Sequence, residues 1–236
     1  VAGPYCPAYF GDFPDGLYNG CEIYDYAVGY PFNLIPGDGV DPTGAREHWR
    51  MDSVSGTTPG LFGGLNLTAN GAVTVDVPGR VGNALRMDGA FTDYLVSTNA
   101  DFNPGDSLFG FTGWVRLNAA DFSDDHQILG RWLTPTRSYS LIITGSRIVW
   151  RVSSNGITEV NVDCGFDIEL GEWVFFACWH DHVANTINVK TNGNPTQSTA
   201  HAAGISATGL TQFRVGGSQE NLVPELSIDS LTYWKD

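Results

Sequence analysis

The run His180-Asp181-His182 places three side chains that bind metals and transfer protons next to one another. Imidazole and carboxylate groups of this kind build metal sites and general acid–base catalysts. Alternate residues of a strand share a face. His180 and His182 would therefore converge only if a strand continued through both of them.

Three acids are crowded into the segment Asp121-Phe122-Ser123-Asp124-Asp125. Carboxylates this close repel one another, and a divalent cation relieves the repulsion. Calcium prefers carboxylate and carbonyl oxygens, often on loops. Asp121, Asp124 and Asp125 are therefore the candidate calcium ligands, and a solvated loop without metal is the alternative.

An indole with two neighbouring guanidinium groups forms the second candidate site. Trp132 follows Arg131 directly and is followed shortly by Arg137. An exposed indole can stack on a sugar ring while polar groups bond to the sugar hydroxyls. We predict a ligand-binding site at Arg131, Trp132 and Arg137, and packing at the edge of the fold is the alternative.

The acids do not form the pattern that glycoside hydrolysis requires, which is two carboxylates flanking the scissile bond. Glu159 and Asp163 are four residues apart in a predicted strand and share a face. No third acid extends that array in phase. We assign no catalytic residue and keep a glycoside hydrolase as a remote alternative.

Four cysteines, Cys6, Cys21, Cys164 and Cys178, permit two disulfides in three possible pairings. Cys6 and Cys21 share one segment and could close a loop. Cys178 stands in an apolar run, where it could be a buried thiol. No CxxC motif is present, which argues against a zinc site.

The formal net charge of −14, from 26 acids and 12 bases, argues against nucleic acid and anionic membranes as partners. No apolar stretch is long enough to span a membrane. The first residues lack the pattern of a signal peptide. Removal of a leader and loss of an initiator methionine both remain open.

Residues 1–46 differ from the rest of the chain because they are rich in proline, glycine, tyrosine and phenylalanine. Proline at this density prevents regular helix and interrupts sheet. Aromatic side chains argue against simple disorder. We predict an ordered, irregular N-terminal arm that packs on its own domain or on a neighbouring subunit.

The remaining residues, 47–236, alternate between strand-like runs and turn signals, with no sustained helical period. Short turns such as Ser154-Asn155-Gly156 and Asn192-Gly193 join them. The run Trp173–Trp179 is apolar on both faces and predicts a central, doubly buried strand. The predicted strands are Glu47–Asp52, Ala72–Val77, Ala84–Asp88, Tyr94–Ser97, Phe111–Leu117, Gln127–Trp132, Ser138–Thr144, Arg147–Ser153, Thr158–Asp163, Trp173–Asp181, Thr186–Thr191, Gln212–Gly216 and Leu226–Trp234.

Five blocks of residues 47–236, in order, resemble the laminin-G-like, or concanavalin-A-like, jelly-roll superfamily. The blocks are His48–Gly56, Gly79–Gly89, Phe111–Leu117, Gly171–Ala177, and Phe213–Gly217 with Leu226–Trp234. The resemblance implies an all-β fold of two antiparallel sheets with about six or seven strands each. It also implies that the first and last strands lie side by side.

The same resemblance places a turn at His180-Asp181-His182, with an aspartate where Asp181 stands. It therefore implies a hairpin turn with solvated histidines and not a metal or catalytic cluster. Calcium is the commonest metal of the family, but no family calcium motif matches closely enough to transfer ligands to this chain.

We predict an all-β, two-sheet antiparallel jelly-roll sandwich with a non-enzymatic structural or binding role. The first hypothesis is a phage virion protein, either a capsid decoration or a tail or host-attachment component. Its partners would be other virion or cell-surface proteins, reached in part through residues 1–46, within a homo-oligomer or larger assembly. The alternative is an exported, calcium-assisted lectin module that binds a glycan.

Overall fold

The computed structural model describes residues 45–52, 56–80, 82–89, 92–119, 121–207, 209, 212–217 and 225–236. The predicted N-terminal arm, apart from its last two residues, lies outside these ranges, and so do Cys6 and Cys21. Within the ranges given, no helix is long and apolar enough to cross a membrane.

Short strands and a single turn of 3-10 helix, Ala100–Phe102, make up the regular structure of the described chain. The strands are β1 Ala45–Trp49, β2 Thr57–Thr58, β3 Leu67–Asn70, β4 Val73–Pro78, β5 Asn83–Asp88, β6 Tyr94–Ser97, β7 Phe109–Leu117, β8 His126–Arg131, β9 Tyr139–Thr144, β10 Arg147–Val152, β11 Val160–Asp163, β12 Val174–Asp181, β13 Thr186–Thr191, β14 Gln197–Ala200, β15 Phe213–Gly216 and β16 Glu225–Lys235.

One sheet, sheet A, has the strand order β14-β13-β12-β7-β16-β5-β4, with β1 also paired to β16. The long strand β16 lies beside β7 on one side. On its other side, its first half pairs with β5 and its second half with β1. A register shift between Asp229 and Thr232, where Ser230 has a φ of 50°, separates the two halves.

The other sheet, sheet B, has the order β11-β10-β9-β8-β15-β6-β3-β2, and all its neighbouring strands are antiparallel. Some consecutive strands, such as β9 and β10, are joined by a tight turn. Gly145, between β9 and β10, has a φ of 54°, a left-handed conformation that glycine adopts without steric cost. Asn192, after β13, has a φ of 45° and is one of the few other residue types that tolerate this region.

The main core lies between the two sheets and is rich in aromatic rings. Phe102 stacks on Phe213 with ring centroids 4.1 Å apart, and Phe111 stacks on Tyr233 at 4.9 Å. All four side chains are fully buried. Burial of a side chain of this size contributes ~1.5–3 kcal/mol, so this stack holds the sheets together.

A second apolar cluster lies on the opposite surface of sheet A, which we call the outer aromatic face. Its members alternate with residues that face the main core, so they point away from sheet B. They are Trp114, Phe175, Ala177, Trp179 and Trp234.

The predicted fold class is confirmed, and the pairing of β1 with β16 confirms that the first and last strands are neighbours. Strand β12 is buried on both faces and internal in sheet A, as its apolar sequence predicted. Among the described residues each sheet has eight strands, where the resemblance implied about six or seven. The strands missed from the sequence, β2, β3 and β14, are short and lie at or next to sheet edges, where few apolar residues mark them.

Candidate functional site

A row of polar residues crosses three neighbouring strands on the outer surface of sheet A. Arg86 of β5 pairs with Ser227 of β16, and Ser227 pairs with Arg116 of β7. Each lies between two residues of the main core, so strand alternation directs all three outward. Two guanidinium groups therefore flank one serine in a chain whose net charge is −14.

An open cleft of about 460 Å³ lies beside this row, and we call it the arginine cleft. Its volume falls within the range of small-molecule sites. The described residues that line it are Arg86, Arg116, Leu117, Asn118, Ala119, Leu170 and Gly171. Among these lining residues there is no carboxylate and no histidine.

The side chain of Arg116 is held in place by two neighbours. Its Nε donates to Oδ1 of Asn118 at 3.2 Å, and its guanidinium carbon lies 4.9 Å from the ring centroid of Trp173. Asn118 in turn donates from Nδ2 to Oγ of Ser227 at 2.9 Å. Because the hydrogen bond uses Nε, the two terminal nitrogens can still donate to a ligand.

The rim of the cleft is a turn that precedes β12. The backbone N–H of Gly171 donates to the carbonyl of Leu117 at 2.9 Å, which ties the turn to the end of β7. Gly171 has a φ of 78°, so this position favours glycine. Leu170 beside it is 38% exposed and gives the rim an apolar surface.

The chemistry of the arginine cleft suits an anionic ligand. A guanidinium group donates several hydrogen bonds in a planar fork that matches a carboxylate, a sulfate or a phosphate. Trp173 and Leu170 add apolar surface next to these donors. The arrangement can therefore hold a ligand with one acidic group and a partly apolar body.

The predicted site at Arg131, Trp132 and Arg137 has a different character. Trp132 is only 1% exposed, so the expectation of an open stacking surface is wrong. The guanidinium carbons of Arg151 and Arg137 lie 4.4 and 5.3 Å from its ring centroid. The indole is therefore closed to solvent and contacts guanidinium groups of its own chain.

The two predicted arginines of that site also have structural contacts. Arg131 is buried and donates from Nη1 to the carbonyl of Phe102 at 3.0 Å. Arg137 lies 3.9 Å from a carboxylate oxygen of Glu159. Ligand binding by these residues stays a prediction, and stacking on Trp132 would require its ring to become exposed.

The three predicted calcium ligands lie in the loop between β7 and β8. Oδ1 of Asp121 accepts the backbone N–H of Ser123 at 2.9 Å, and hydrogen bonds from Ser123 lower the pKa of Asp121 below its ordinary value. In the part of the chain that the structure describes, no three His, Cys, Asp or Glu residues form a group that could hold a metal. Calcium binding by Asp121, Asp124 and Asp125 stays a prediction.

The expectation of solvated histidines is wrong for His180, because β12 continues through it to Asp181. His180 is fully buried, and its Nδ1 lies 2.9 Å from the carbonyl of Ser107. Its ring packs against His201, with centroids 5.7 Å apart. Burial is the main cause that lowers the pKa of His180 below its ordinary value. His182 is exposed, as expected.

The carboxylates considered for glycoside hydrolysis form surface ion pairs. Glu159 lies outside β11 and faces Arg137, whereas Asp163 ends β11 and lies 3.4 Å from Arg147. The exposed positions 159, 161 and 163 alternate with less exposed ones, so the two acids share the outer face as predicted, and each faces an arginine.

The two described cysteines are thiols that are not joined to each other. Cys164 and Cys178 are both buried and free. Burial raises the pKa of the Cys178 thiol well above its usual range, which keeps it protonated and unreactive.

Sequence reasoning missed Arg86 and Arg116, although a signal for them exists. Each is a single charged residue between two apolar residues of a recognisable strand, which predicts an outward position. What the sequence does not provide is the strand order that brings β5, β16 and β7 together.

Two facing antiparallel sheets with this strand order define the class of concanavalin-A-like jelly rolls. The chain belongs to the Laminin_G_3 family, described as the "Concanavalin A-like lectin/glucanases superfamily", whose model matches residues 88–234. No curated protein matches the sequence significantly.

Solved structures of similar fold include binding domains of clostridial toxins. The receptor-binding domain of botulinum neurotoxin type G has a TM-score of 0.59 and 12% identity, over 80% of this chain and 47% of that one. The binding domain of Paraclostridial Mosquitocidal Protein 1 has a TM-score of 0.61 and 14% identity, over 79% and 48%.

The binding domain of botulinum neurotoxin DC, solved in complex with SialylT, has a TM-score of 0.60 and 13% identity, over 81% of this chain and 48% of that one. The present chain thus spans about half the length of these domains. At such low identity, the likeness shows the fold alone.

Proposed function

We propose that this protein is a non-enzymatic binding module that holds an acidic carbohydrate in the arginine cleft. The observation that carries the proposal is the cross-strand row of Arg86, Ser227 and Arg116 beside an open cleft of about 460 Å³. Membership of a superfamily named for lectins and glucanases supports a carbohydrate as the ligand. A neighbour of the same fold was solved in complex with SialylT.

The donors of the cleft favour an acidic sugar over a neutral one. A charge-assisted hydrogen bond from a guanidinium group to a carboxylate is about twice as strong as a bond between neutral groups. Arg116 is fixed by Asn118 and Trp173, so little side-chain freedom is lost when it binds. The apolar ring face of a sugar can lie against Leu170 at the rim.

A binding role fits the cleft better than hydrolysis. Glycoside hydrolases of the common types need two carboxylates across the scissile bond. The described lining residues of the cleft contain none. The described lining residues can therefore hold a sugar, and none of them is a carboxylate of the kind that cleaves one.

The same proposal extends to the biological setting. A virion surface protein that attaches to host glycans, or a decoration of the capsid, would use an acidic, jelly-roll module of this kind. An exported lectin is the alternative setting. Mass spectrometry of purified phage particles tests the first setting, and recovery of the protein only from culture medium of uninfected cells would favour the second.

Isothermal titration of the full chain with sialyllactose, and with lactose as the neutral probe, tests the ligand class. We expect binding of sialyllactose and no measurable binding of lactose, with and without calcium. Arg116→Ala should weaken binding ~10-fold or more, because it removes a hydrogen bond to a charged group that contributes ~1.5–3 kcal/mol.

The matched control is Arg147→Ala, which removes an equally charged arginine from the exposed surface of sheet B. Its affinity for sialyllactose should equal that of the unmodified chain. Equal binding of lactose and sialyllactose, or an Arg116→Ala variant with unchanged affinity, would exclude the arginine cleft as the site.

A further inference from the structure

Two arginines line the arginine cleft, and they belong to strands on opposite sides of β16. Arg86 of β5 and Arg116 of β7 both pair with Ser227 of β16, so the three residues stand in one row. Neighbouring strands are ~4.8 Å apart, which places the Cα atoms of the two arginines ~10 Å apart. A ligand with a single acidic group needs only one of these arginines.

The contact of Arg116 with Trp173 draws its guanidinium group away from Arg86. Trp173 directly precedes β12, which pairs with β7 on the side opposite β16. The guanidinium carbon of Arg116 lies 4.9 Å from the ring centroid of Trp173. If Arg116 turned towards β5 to share one acid with Arg86, this cation–π contact would be lost. The geometry therefore favours a separate acid for each arginine.

The groups between the two arginines are polar and uncharged. Asn118 accepts from Nε of Arg116 through Oδ1 and donates from Nδ2 to Oγ of Ser227. An amide nitrogen carries two N–H donors, so Nδ2 of Asn118 has a second one for a ligand hydroxyl. The described lining residues include no carboxylate that would repel an acid here. The middle of the row thus suits a neutral sugar.

The spacing of the row matches a repeat found in acidic glycans. In an extended chain of β-linked sugars, adjacent sugars turn their substituents to opposite edges, and every second sugar turns them to the same edge. Acids on alternate sugars therefore recur along one edge at the length of one disaccharide. This length is comparable to the ~10 Å that two strand spacings provide.

We propose that the arginine cleft binds an acidic oligosaccharide whose acids stand on alternate sugars. One acid binds the terminal nitrogens of Arg116, the neutral sugar that follows lies over Asn118, and the next acid binds Arg86. This inference rests on the proposed function and names the ligand class more closely. Two charge-assisted contacts at a fixed distance select this spacing over a single acid.

Isothermal titration of the full chain with hyaluronan oligosaccharides tests the spacing. The tetrasaccharide carries two glucuronates on alternate sugars, and the disaccharide carries one. We expect the tetrasaccharide to bind ~10-fold more tightly, because it adds a second charge-assisted hydrogen-bonding group. A tetrasaccharide with both carboxyl groups reduced to alcohols has the same length and should not bind measurably. Equal affinity for the tetrasaccharide and the disaccharide would overturn the proposal, and so would binding of the reduced sugar as tight as that of the acidic one.

Substitution of Arg86 tests the second contact. In Arg86→Ala, the ~10-fold advantage of the tetrasaccharide over the disaccharide should fall to less than about 2-fold, because the second acid loses its partner. Arg147→Ala is the matched control on sheet B and should keep the full advantage. An advantage that persists in a folded Arg86→Ala variant would contradict the assignment. If this variant fails to fold, the comparison of sugars on the unsubstituted chain still decides the question.

The failure of this inference differs from the failure of the proposed function. If sialyllactose binds and the tetrasaccharide has no advantage over the disaccharide, the cleft holds one acid and only the second contact is wrong. If neither sialyllactose nor the hyaluronan oligosaccharides bind, the proposed function fails together with this inference.

Discussion

Two of the arginine–tryptophan contacts in this protein differ in their exposure, since one is closed and the other is open. At the closed contact, the ring of Trp132 lies 4.4 Å from the guanidinium carbon of Arg151 and is 1% exposed. At the open contact, the ring centroid of Trp173 lies 4.9 Å from the guanidinium carbon of Arg116, beside the arginine cleft. The chemistry is the same, so burial alone separates a structural contact from a candidate binding site.

The loops near the two contacts also differ. Beside Trp132, the backbone N–H of Arg137 donates to the carbonyl of Gly156 at 3.1 Å, and Ser138 donates through Oγ to the carbonyl of Ser206 at 2.8 Å. Three loops are thereby joined at one end of the sandwich. Beside Trp173, the turn at Gly171 is tied to the end of β7 and leaves the cleft open.

The largest expected effect is the loss of stability when the buried indole of Trp132 is removed. Trp132→Ala should lower the free energy of unfolding by ~3–5 kcal/mol, because it leaves a cavity in a packed site. Urea denaturation measures this loss. Trp173→Ala is the matched control and should cost less, since its ring is only partly buried. If the two variants lose equal stability, the distinction between the two contacts is wrong.

Acid should weaken the closed end of the sandwich, where His180 is buried. Its pKa is lowered in the folded state by burial, so the stabilising effect of the neutral ring is complete above the unfolded value near 6.5 and declines as the pH falls below it. Groups near its ring include His201, Asp106 and His182. Melting temperatures measured between about pH 7.5 and about pH 5 should therefore fall less in His180→Asn than in the unmodified chain. Parallel curves for the two proteins would contradict this assignment.

Exchange of arginine for lysine should lower ligand affinity at the open contact and stability at the closed contact. Arg116→Lys should lower the affinity for sialyllactose ~5-fold, because lysine lacks the planar fork, and should leave stability unchanged. Arg151→Lys should lower stability by ~0.5–2 kcal/mol through the weaker contact with Trp132 and leave the affinity unchanged. Titration calorimetry measures the affinity of both variants, and urea denaturation measures their stability. An affinity loss in Arg151→Lys would contradict the closed character of its site.

The smallest expected effect concerns calcium at the loop of Asp121, Asp124 and Asp125. Calcium at a concentration equal to its dissociation constant would stabilise the fold by only ~0.4 kcal/mol. Differential scanning calorimetry with calcium and with chelator measures this shift. Asp124→Asn should abolish it and leave binding in the arginine cleft intact. If millimolar calcium leaves the melting temperature unchanged, these residues are not calcium ligands.

The sequence predicted the fold well because strand alternation and ordered family blocks are local signals. Trp173–Trp179 was correctly predicted as a doubly buried strand from its own residues. For Trp132 the sequence left exposed stacking and packing at the edge of the fold as alternatives, because its burial depends on residues distant in sequence such as Arg151. His180 was misplaced because the turn implied by the resemblance starts only after Asp181.

The candidate site was missed for a related reason. Arg86, Arg116 and Ser227 stand far apart in the chain, and each alone is an ordinary outward residue of a strand. Their meeting depends on the insertion of β16 between β5 and β7, which no local pattern encodes. Sequence reasoning instead singled out Arg131, Trp132 and Arg137 as a candidate, because those residues are close in sequence.

The central position of β16 also has a consequence for biosynthesis. Its partners β1, β5 and β7 are all made earlier, so during translation their hydrogen-bonding edges await a strand that the ribosome has not yet produced. Unpaired edges of apolar strands recruit other chains. Folding of the nascent protein thus depends on a strand that is synthesised after all its partners. Chaperone supply and translation speed should therefore influence the yield more than they would for a sheet assembled from sequential hairpins.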